Sequence, residues 1–211
     1  MSNPTTEIIE AAADTPRFVA GFTGPPGAGK TTIARRVVAE LTERFGDDAV
    51  GYLPMDGFHL ATTVLRRLGR TDRRGAPDTF DVDGFVSLLR RAAAPGKEVY
   101  APDFDHRGVG GGVAEPIAAA LIIPATAKVL VVEGNYLALD GEWSPVRDLI
   151  DRLWFVDVPD DVRRERLSVR HVGAGRSAEN ARRWIESVDD PNAALIRSCR
   201  HRCDVLLDGT S

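Results

Sequence analysis

Lysine is nearly absent from this 211-residue chain: Lys30, Lys97 and Lys128 are the only three, and arginine supplies the rest of its 27 basic residues. Each lysine position is therefore informative. Cysteine is scarcer still. Cys199 and Cys203 stand four apart, a spacing that bridges poorly on a helix, and two thiols build no disulfide framework. Reduced, structural thiols and a cytoplasmic location are the expectation. A basic surplus is also missing: 31 acidic residues leave a net charge of −4, which argues against a dedicated nucleic-acid binder. Long hydrophobic runs do not occur. The most apolar stretch, residues 117–132, is broken by Pro124, Thr126 and Lys128 and is too short to span a bilayer, so no membrane insertion is expected. Residues 1–18 carry Glu7, Glu10 and Asp14 without the apolar segment of a signal peptide.

What is present suffices for one packed domain, with 43% hydrophobic residues in a length typical of a single unit. Residues 1–16 read as a tail with one helical turn at 8–13, and residues 17–211 as the domain. Residues 17–23 form a short β-rich run that enters a glycine-rich turn. Residues 30–45 follow helical periodicity, with Ile33, Val37, Val38 and Leu41 on one face. A second strand is expected at 49–54, a helix at 82–93 stopped by Pro95-Gly96, a weak strand at 98–101 and a flexible loop at 108–112. Residues 128–132 are a continuous apolar run suited to a central parallel strand buried on both faces, and 152–158 form another. Helices at 159–170 and 178–188 and a strand at 205–207 complete the order. Strands alternating with helices specify a parallel sheet covered on both sides.

Gly24-Pro25-Pro26-Gly27-Ala28-Gly29-Lys30-Thr31 matches G-x-x-x-x-G-K-[ST] in full at the expected strand-to-helix junction, with Thr32 next in line. Glycines let the backbone wrap a phosphate with several N–H groups pointing inward, and the helix start adds its positive dipole end. Lys30 is placed to reach the β- and γ-phosphates and the Thr31 hydroxyl to ligate Mg²⁺. The motif specifies a nucleotide, not a reaction. Neither an N-K-x-D guanine-selecting sequence nor an L-S-G-G-Q transporter signature is present. The second strand ends in Met55-Asp56-Gly57-Phe58-His59, where Asp56 reads equally as a turn-former before glycine or as a carboxylate facing the γ-phosphate.

These two segments together resemble the group of P-loop kinases that contains phosphoribulokinase, uridine kinase and bacterial pantothenate kinase. Further matches follow in order: Arg74-Gly75-Ala76-Pro77-Asp78-Thr79-Phe80-Asp81, Pro102-Asp103-Phe104-Asp105-His106, Val131-Val132-Glu133-Gly134-Asn135, and a tail with Asn192, Ile196-Arg197 and residues 200–205. They span residues 18–207. The compact length is most similar to small bacterial kinases described as fructose-transport-associated or as nucleoside/nucleotide kinase family proteins. The resemblance implies a three-layer α/β/α P-loop fold with a mostly parallel central sheet and a helical lid over about 161–180. It also implies ATP and Mg²⁺ as cofactors, a small-molecule acceptor and a homodimer, since dimers are common in the group.

By the same resemblance Asp56 is the catalytic base, Glu133 helps Thr31 position the metal, and residues 24–32 hold the nucleotide. His59, Arg74, Asp103, Asp105, His106 and Asn192 face the acceptor. Arg73 stands beside Arg74 as a second candidate anchor for an anionic acceptor group. Arg163, Arg166 and Arg170 share a helix face; aimed inward they clamp the triphosphate, and Arg166 and Arg170 are the preferred pair. Trp143, Trp154 and Trp184 read as core or interface residues. The sequence departs from its relatives at 108–112, which lacks the carboxylate many of them carry there, and Asp56 is not followed by the aromatic pair expected of a uridine kinase. The activity implied is transfer of the γ-phosphoryl of ATP to a hydroxyl of a sugar, nucleoside or pantothenate-like metabolite. The competing readings are an ATP-binding regulatory protein and a nucleoside monophosphate kinase.

Overall fold

The computed structural model describes residues 3–105 and 114–210. Helix α1 (Pro4–Ala12) precedes strand β1 (Phe18–Thr23), and α2 (Lys30–Phe45), β2 (Val50–Pro54), α3 (Thr62–Leu68) and α4 (Val82–Ala93) follow. Strands β3 (Val99–Asp105), β4 (Glu115–Ile123) and β5 (Val129–Glu133) come next, then α5 (Ser144–Arg147), β6 (Arg152–Asp157) and α6 (Asp160–Gly173). Helix α7 (Ala178–Trp184), a π-helical turn (Ile185–Asp189), α8 (Asp190–Ser198) and β7 (Val205–Asp208) close the chain. Five strands form one sheet in the order β2-β5-β1-β6-β7, and every pairing in it is parallel.

The continuous apolar runs make sense in this sheet because successive side chains leave a strand on opposite faces. Leu130 and Val132 of β5 join a core with Phe85, Leu89, Tyr136, Trp143, Leu153 and Phe155. Val129 and Val131 join a second core on the other face with Phe22, Ile33, Val37, Leu41 and Trp154. Trp143 and Trp154 are both interior, as expected. Among the described residues no helix is long and apolar enough to cross a membrane.

Helices α3, α5 and α8 carry no sequence expectation, and other elements differ from the one they carry. Residues 4–12 are not a tail: α1 is capped by Asn3, and Ile8 and Ala12 bury into the second core beside α2. Burial of Ile8, fully enclosed, orders the segment. The weak strand at 98–101 continues to Asp105 and pairs antiparallel with β4, most of which falls in the apolar stretch 117–132. Five of the nine residues of β4 are exposed and they do not alternate with buried ones, so no period-2 signal marks the strand. The helix at 178–188 ends as a π turn, which inserts a residue that a 3.6-residue period does not anticipate. The loop at 108–112 lies outside the described residues.

Arg17 fastens the rear of the sheet. Its side chain is buried and donates to the carbonyls of Ala127 (2.7 Å), Ala92 (2.6 Å), Ala94 (3.1 Å), Pro124 (2.9 Å) and Ala125 (2.9 Å). Two of these carbonyls sit at the negative end of α4, which a cation complements. Arg17→Met would take the side-chain donor from the Ala127, Ala92 and Ala94 carbonyls, while those of Pro124 and Ala125 keep the N–H groups of Ala127 and Gly96, and is expected to cost about 3 kcal/mol in urea unfolding. Arg17→Lys should recover only part of that, because an ammonium cannot span the fork.

Candidate active site

The glycine-rich turn between β1 and α2 is pinned from two sides. A Cβ on Gly24 would sit 2.2 Å from the Val156 carbonyl of β6, and one on Gly27, at φ 82°, 2.8 Å from the Arg163 carbonyl of α6. Only glycine fits such close backbone approaches. Gly29 precedes α2 in the left-handed region without a side-chain cap, so the first-turn N–H groups of α2 are left to another acceptor. Opposite lies a cavity of about 200 Å³ lined by Gly27, Gly29, Lys30, Thr31 and Thr32 on one side and Arg166, Leu167 and Arg170 of α6 on the other. Uncapped donors, a lysine and two arginines around one hollow make an anion site. The structure thus brings Arg166 and Arg170 to the loop, and Arg166 donates to the carbonyl of Gly209 at 3.0 Å.

Strand register supplies the carboxylates. Glu133, the last residue of β5, pairs with Phe22 of β1 and Pro54 of β2, so three parallel strands end side by side. Glu133 is 2% exposed and accepts from the Tyr52 hydroxyl at 3.2 Å. Burial pushes its carboxyl above the usual carboxylate range; Lys30 pulls it back, Asp56 adds to the rise, and Thr31 and Tyr52 stabilise the ionised form. Burial lowers the Lys30 ammonium in turn, against the attraction of Glu133 and Asp56, while Arg170 lowers it further. Burial beside Glu133 also keeps the Tyr52 phenol protonated, hence a donor. One hydroxyl and two carboxylates are hard oxygen donors of the kind Mg²⁺ takes alongside nucleotide phosphates.

Asp56 sits in a 3₁₀ turn (Met55–Phe58) directly after β2, with its side chain about a quarter exposed (26%). The turn is crossed closely by β3: a Cβ on Gly57 would meet the Pro102 carbonyl at 2.5 Å. That crossing brings Phe104 over His59, whose ring centroid lies 4.7 Å from Phe104 and 4.0 Å from Phe80. His59 Nδ1 is 2.9 Å from the Asp56 carbonyl and 4.0 Å from Asp56 Oδ1. The Arg74 guanidinium packs over Phe104 (5.8 Å to the centroid) and lies 3.5 Å from Glu115. Its Nε and Nη2 are buried without a hydrogen-bond partner among the described residues.

Asn192 is buried within α8, so it is not a helix cap; its Nδ2 donates to the Gly75 carbonyl at 3.3 Å, which also accepts the Tyr136 hydroxyl at 2.5 Å. Asp103 accepts from its neighbour Phe104 N at 2.8 Å, and its charge acts on Arg35 of α2. Asp105 ends β3 on the same ribbon. His106 lies outside the described residues.

Two arginines leave the expected set. Arg163 shares the helix face of Arg166 but is 1% exposed and bonded to Asp160 (3.0 Å) and Asp190, so it holds helices together and does not reach the cavity. Arg73 is tied to Asp78 at 2.9 Å in its own turn. Three residues that the sequence reading passed over join the site. Tyr52 lies two residues before Pro54, on the strand face that the period-2 pattern assigns to Glu133's neighbour. Tyr136 follows Glu133 closely. Asp189, in the π turn, is buried and adds a further negative charge near Lys30.

The Phosphoribulokinase / Uridine kinase family model matches residues 19–210 of the chain. A Schizosaccharomyces pombe protein provisionally named uridine kinase is 34% identical over 207 residues, 94% of this chain and 86% of its own length. A pantothenate kinase of Leifsonia xyli is 31% identical over 157 residues, covering 72% of this chain and 47% of its own. A crystal structure from Silicibacter sp. TM1040, provisionally named a fructose transport system kinase, superposes with a TM-score of 0.84 at 28% identity, covering 98% of this chain and 100% of that one.

The seat of α6 depends on Asp190, which meets Arg163 and, at 2.9 Å, Arg164. Burial works to raise the Asp190 pKa, but hydrogen bonds from Arg164 and Arg163 outweigh it and hold the carboxyl below its ordinary value. A depressed carboxylate contributes stability that is present above the unfolded pKa of ~3.9 and is lost as pH falls through the folded value. Asp190→Asn leaves buried Arg163 with Asp160 as its one charged partner among the described residues and should cost about 2 kcal/mol at pH 6. In thermal melts the gap between wild type and variant should narrow as the pH drops toward ~3; a gap constant across pH would contradict this assignment.

Proposed function

The chain belongs to the Phosphoribulokinase / Uridine kinase family and is an ATP-dependent small-molecule kinase with a hydroxyl as acceptor, and we propose that Asp56 takes the proton of that hydroxyl while Lys30, Arg166 and Arg170 hold the phosphates. The observation that carries this reading is the meeting of Lys30, Glu133 and Asp56 at the ends of three adjacent parallel strands, beside the hollow lined by the arginines of α6.

The backbone N–H groups of residues 27–32 cradle the phosphates. Thr31 and Glu133 would hold Mg²⁺, which would supply positive charge against the nucleotide phosphates. Lys30 reaches the same oxygens, and its surrounding carboxylates favour its charged form. Arg166 and Arg170 face the charge that spreads over the phosphoryl oxygens in a metaphosphate-like transition state. Asp56, the partly exposed carboxylate, accepts the hydroxyl proton. Catalysis is then positioning and charge neutralisation.

The acceptor lies over the turn after β2, walled by His59, Arg74, Asp103, Asp105 and Asn192, with His106 assigned on resemblance alone. Rings on both sides hold His59, and the Arg74 guanidinium, whose Nε has no hydrogen-bond partner among the described residues, suits a polar or anionic acceptor group. A sugar, a nucleoside or a pantothenate-like acid meets these demands. A homodimer remains part of this reading, with exposed Tyr100, Ile117 and Ile122 of the β3–β4 ribbon as the apolar surface available to it. A cytoplasmic setting belongs to the same reading and accords with two cysteines that are not bridged.

Asp56→Asn keeps the size and polarity of the side chain and removes the base. Phosphoryl transfer is expected to fall by ~10²–10⁴ while Mg·ATP still binds, read by coupled ADP release and by calorimetry on the same preparation. Normal turnover by the variant would overturn the base assignment.

A further inference from the structure

Asp189 takes none of the roles above, yet it is a buried carboxylate on which groups from three directions converge. It is the last residue of the π turn Ile185–Asp189. His171, on the last turn of α6, places Nε2 2.8 Å from Asp189 Oδ2, and the two side chains are 13% and 8% exposed. Burial lowers the basicity of Lys30 and of Arg176, and the Asp189 charge opposes that fall at both. The carboxylate is therefore bonded to the end of α6, and its charge also acts on the phosphate-loop lysine and on Arg176 before α7.

The next residues extend the attachment. Asp190 receives Arg163 and Arg164 from α6, and Asn192 donates to the Gly75 carbonyl beside Arg74. Residues 189–192 thus hold α6 at two places and the acceptor corner at a third. A buried ion pair adds little net stability over an apolar pair of the same shape, but it fixes one rotation and one axial setting of the helix that carries it. On α6 that setting decides where Arg166 and Arg170 point.

We propose that the His171–Asp189 hydrogen bond is a positioning latch: it seats α6 so that Arg166 and Arg170 face the phosphates, and it ties that helix to the segment holding the acceptor corner. The inference rests on the kinase reading above for the roles of the two arginines. His171→Leu, which removes the bond, is expected to lower kcat at least about tenfold and to reduce the preference for Mg·ATP over Mg·ADP in calorimetry. His171→Gln can still donate to Asp189 and should stay within about threefold of wild type on both readouts. The double variant His171→Leu with Asp189→Asn should lose no more than His171→Leu alone, because the two residues act as one unit.

Unchanged kcat and ATP-over-ADP preference in His171→Leu would overturn the latch, as would equal losses in the Leu and Gln variants. General destabilisation would weaken both nucleotides alike and would not be corrected by Gln. The nucleotide preference is read without any acceptor, so a wild type that phosphorylates nothing defeats the assigned transfer roles while the latch is still judged.

Discussion

One lysine held among carboxylates at the end of a parallel sheet is the constraint from which the rest follows. Lys30 begins α2 directly behind β1, Glu133 ends β5 in register with Phe22 and Pro54, and Asp56 lies in the turn after β2. Parallel pairing places the carboxyl ends of the three strands at one edge of the molecule, where loops are free to carry chemistry. A one-residue slip of β5 against either neighbour would turn Glu133 to the other face and separate it from Lys30. The two cores above and below the sheet fix that register, since Leu130 and Val132 fit one and Val129 and Val131 the other.

Charge around the phosphate loop is balanced on two levels. Glu133, Asp56 and Asp189 all act on Lys30, so the loop cation already has partners in the protein. Arg166 and Arg170 remain on the exposed side of α6, lining the hollow opposite the phosphate loop. The mutual attraction of Lys30 and Glu133 offsets only part of the cost of burying them, and a bound cation at Glu133 would favour its ionised form. The acceptor side is built differently. Aromatic rings and backbone carbonyls dominate there: Phe80 and Phe104 hold His59, and the Gly75 carbonyl gathers Tyr136 and Asn192. A polar small molecule with several hydroxyls suits such a wall.

The features legible in the sequence are those whose cause is local. The phosphate loop is one uninterrupted segment, and Glu133 and Asp56 each end an apolar strand that periodicity marks. Helix α6 and its inward arginines were legible as a face, but Arg163, one turn from Arg166, belongs to Asp160 in its own helix and to Asp190, which arrives from α8. Long-range partners explain the other omissions as well. Arg17 reads as an ordinary strand-edge cation until carbonyls from α4 and from the turn before β5 close around it. Strand β4 shows no alternation because its side chains face solvent, and Asp189 is aimed by a π turn that no helical period encodes.

The central claim is that the phosphoryl group leaves ATP for a hydroxyl held over Asp56. Incubating the protein with γ-labelled Mg·ATP and pools of sugars, sugar phosphates, nucleosides and pantothenate-like acids tests it directly. The account predicts label on a small molecule in one pool, in step with ADP release. Label appearing in no pool while ATP binds tightly would contradict it, and the site would then be that of an ATP-binding regulator.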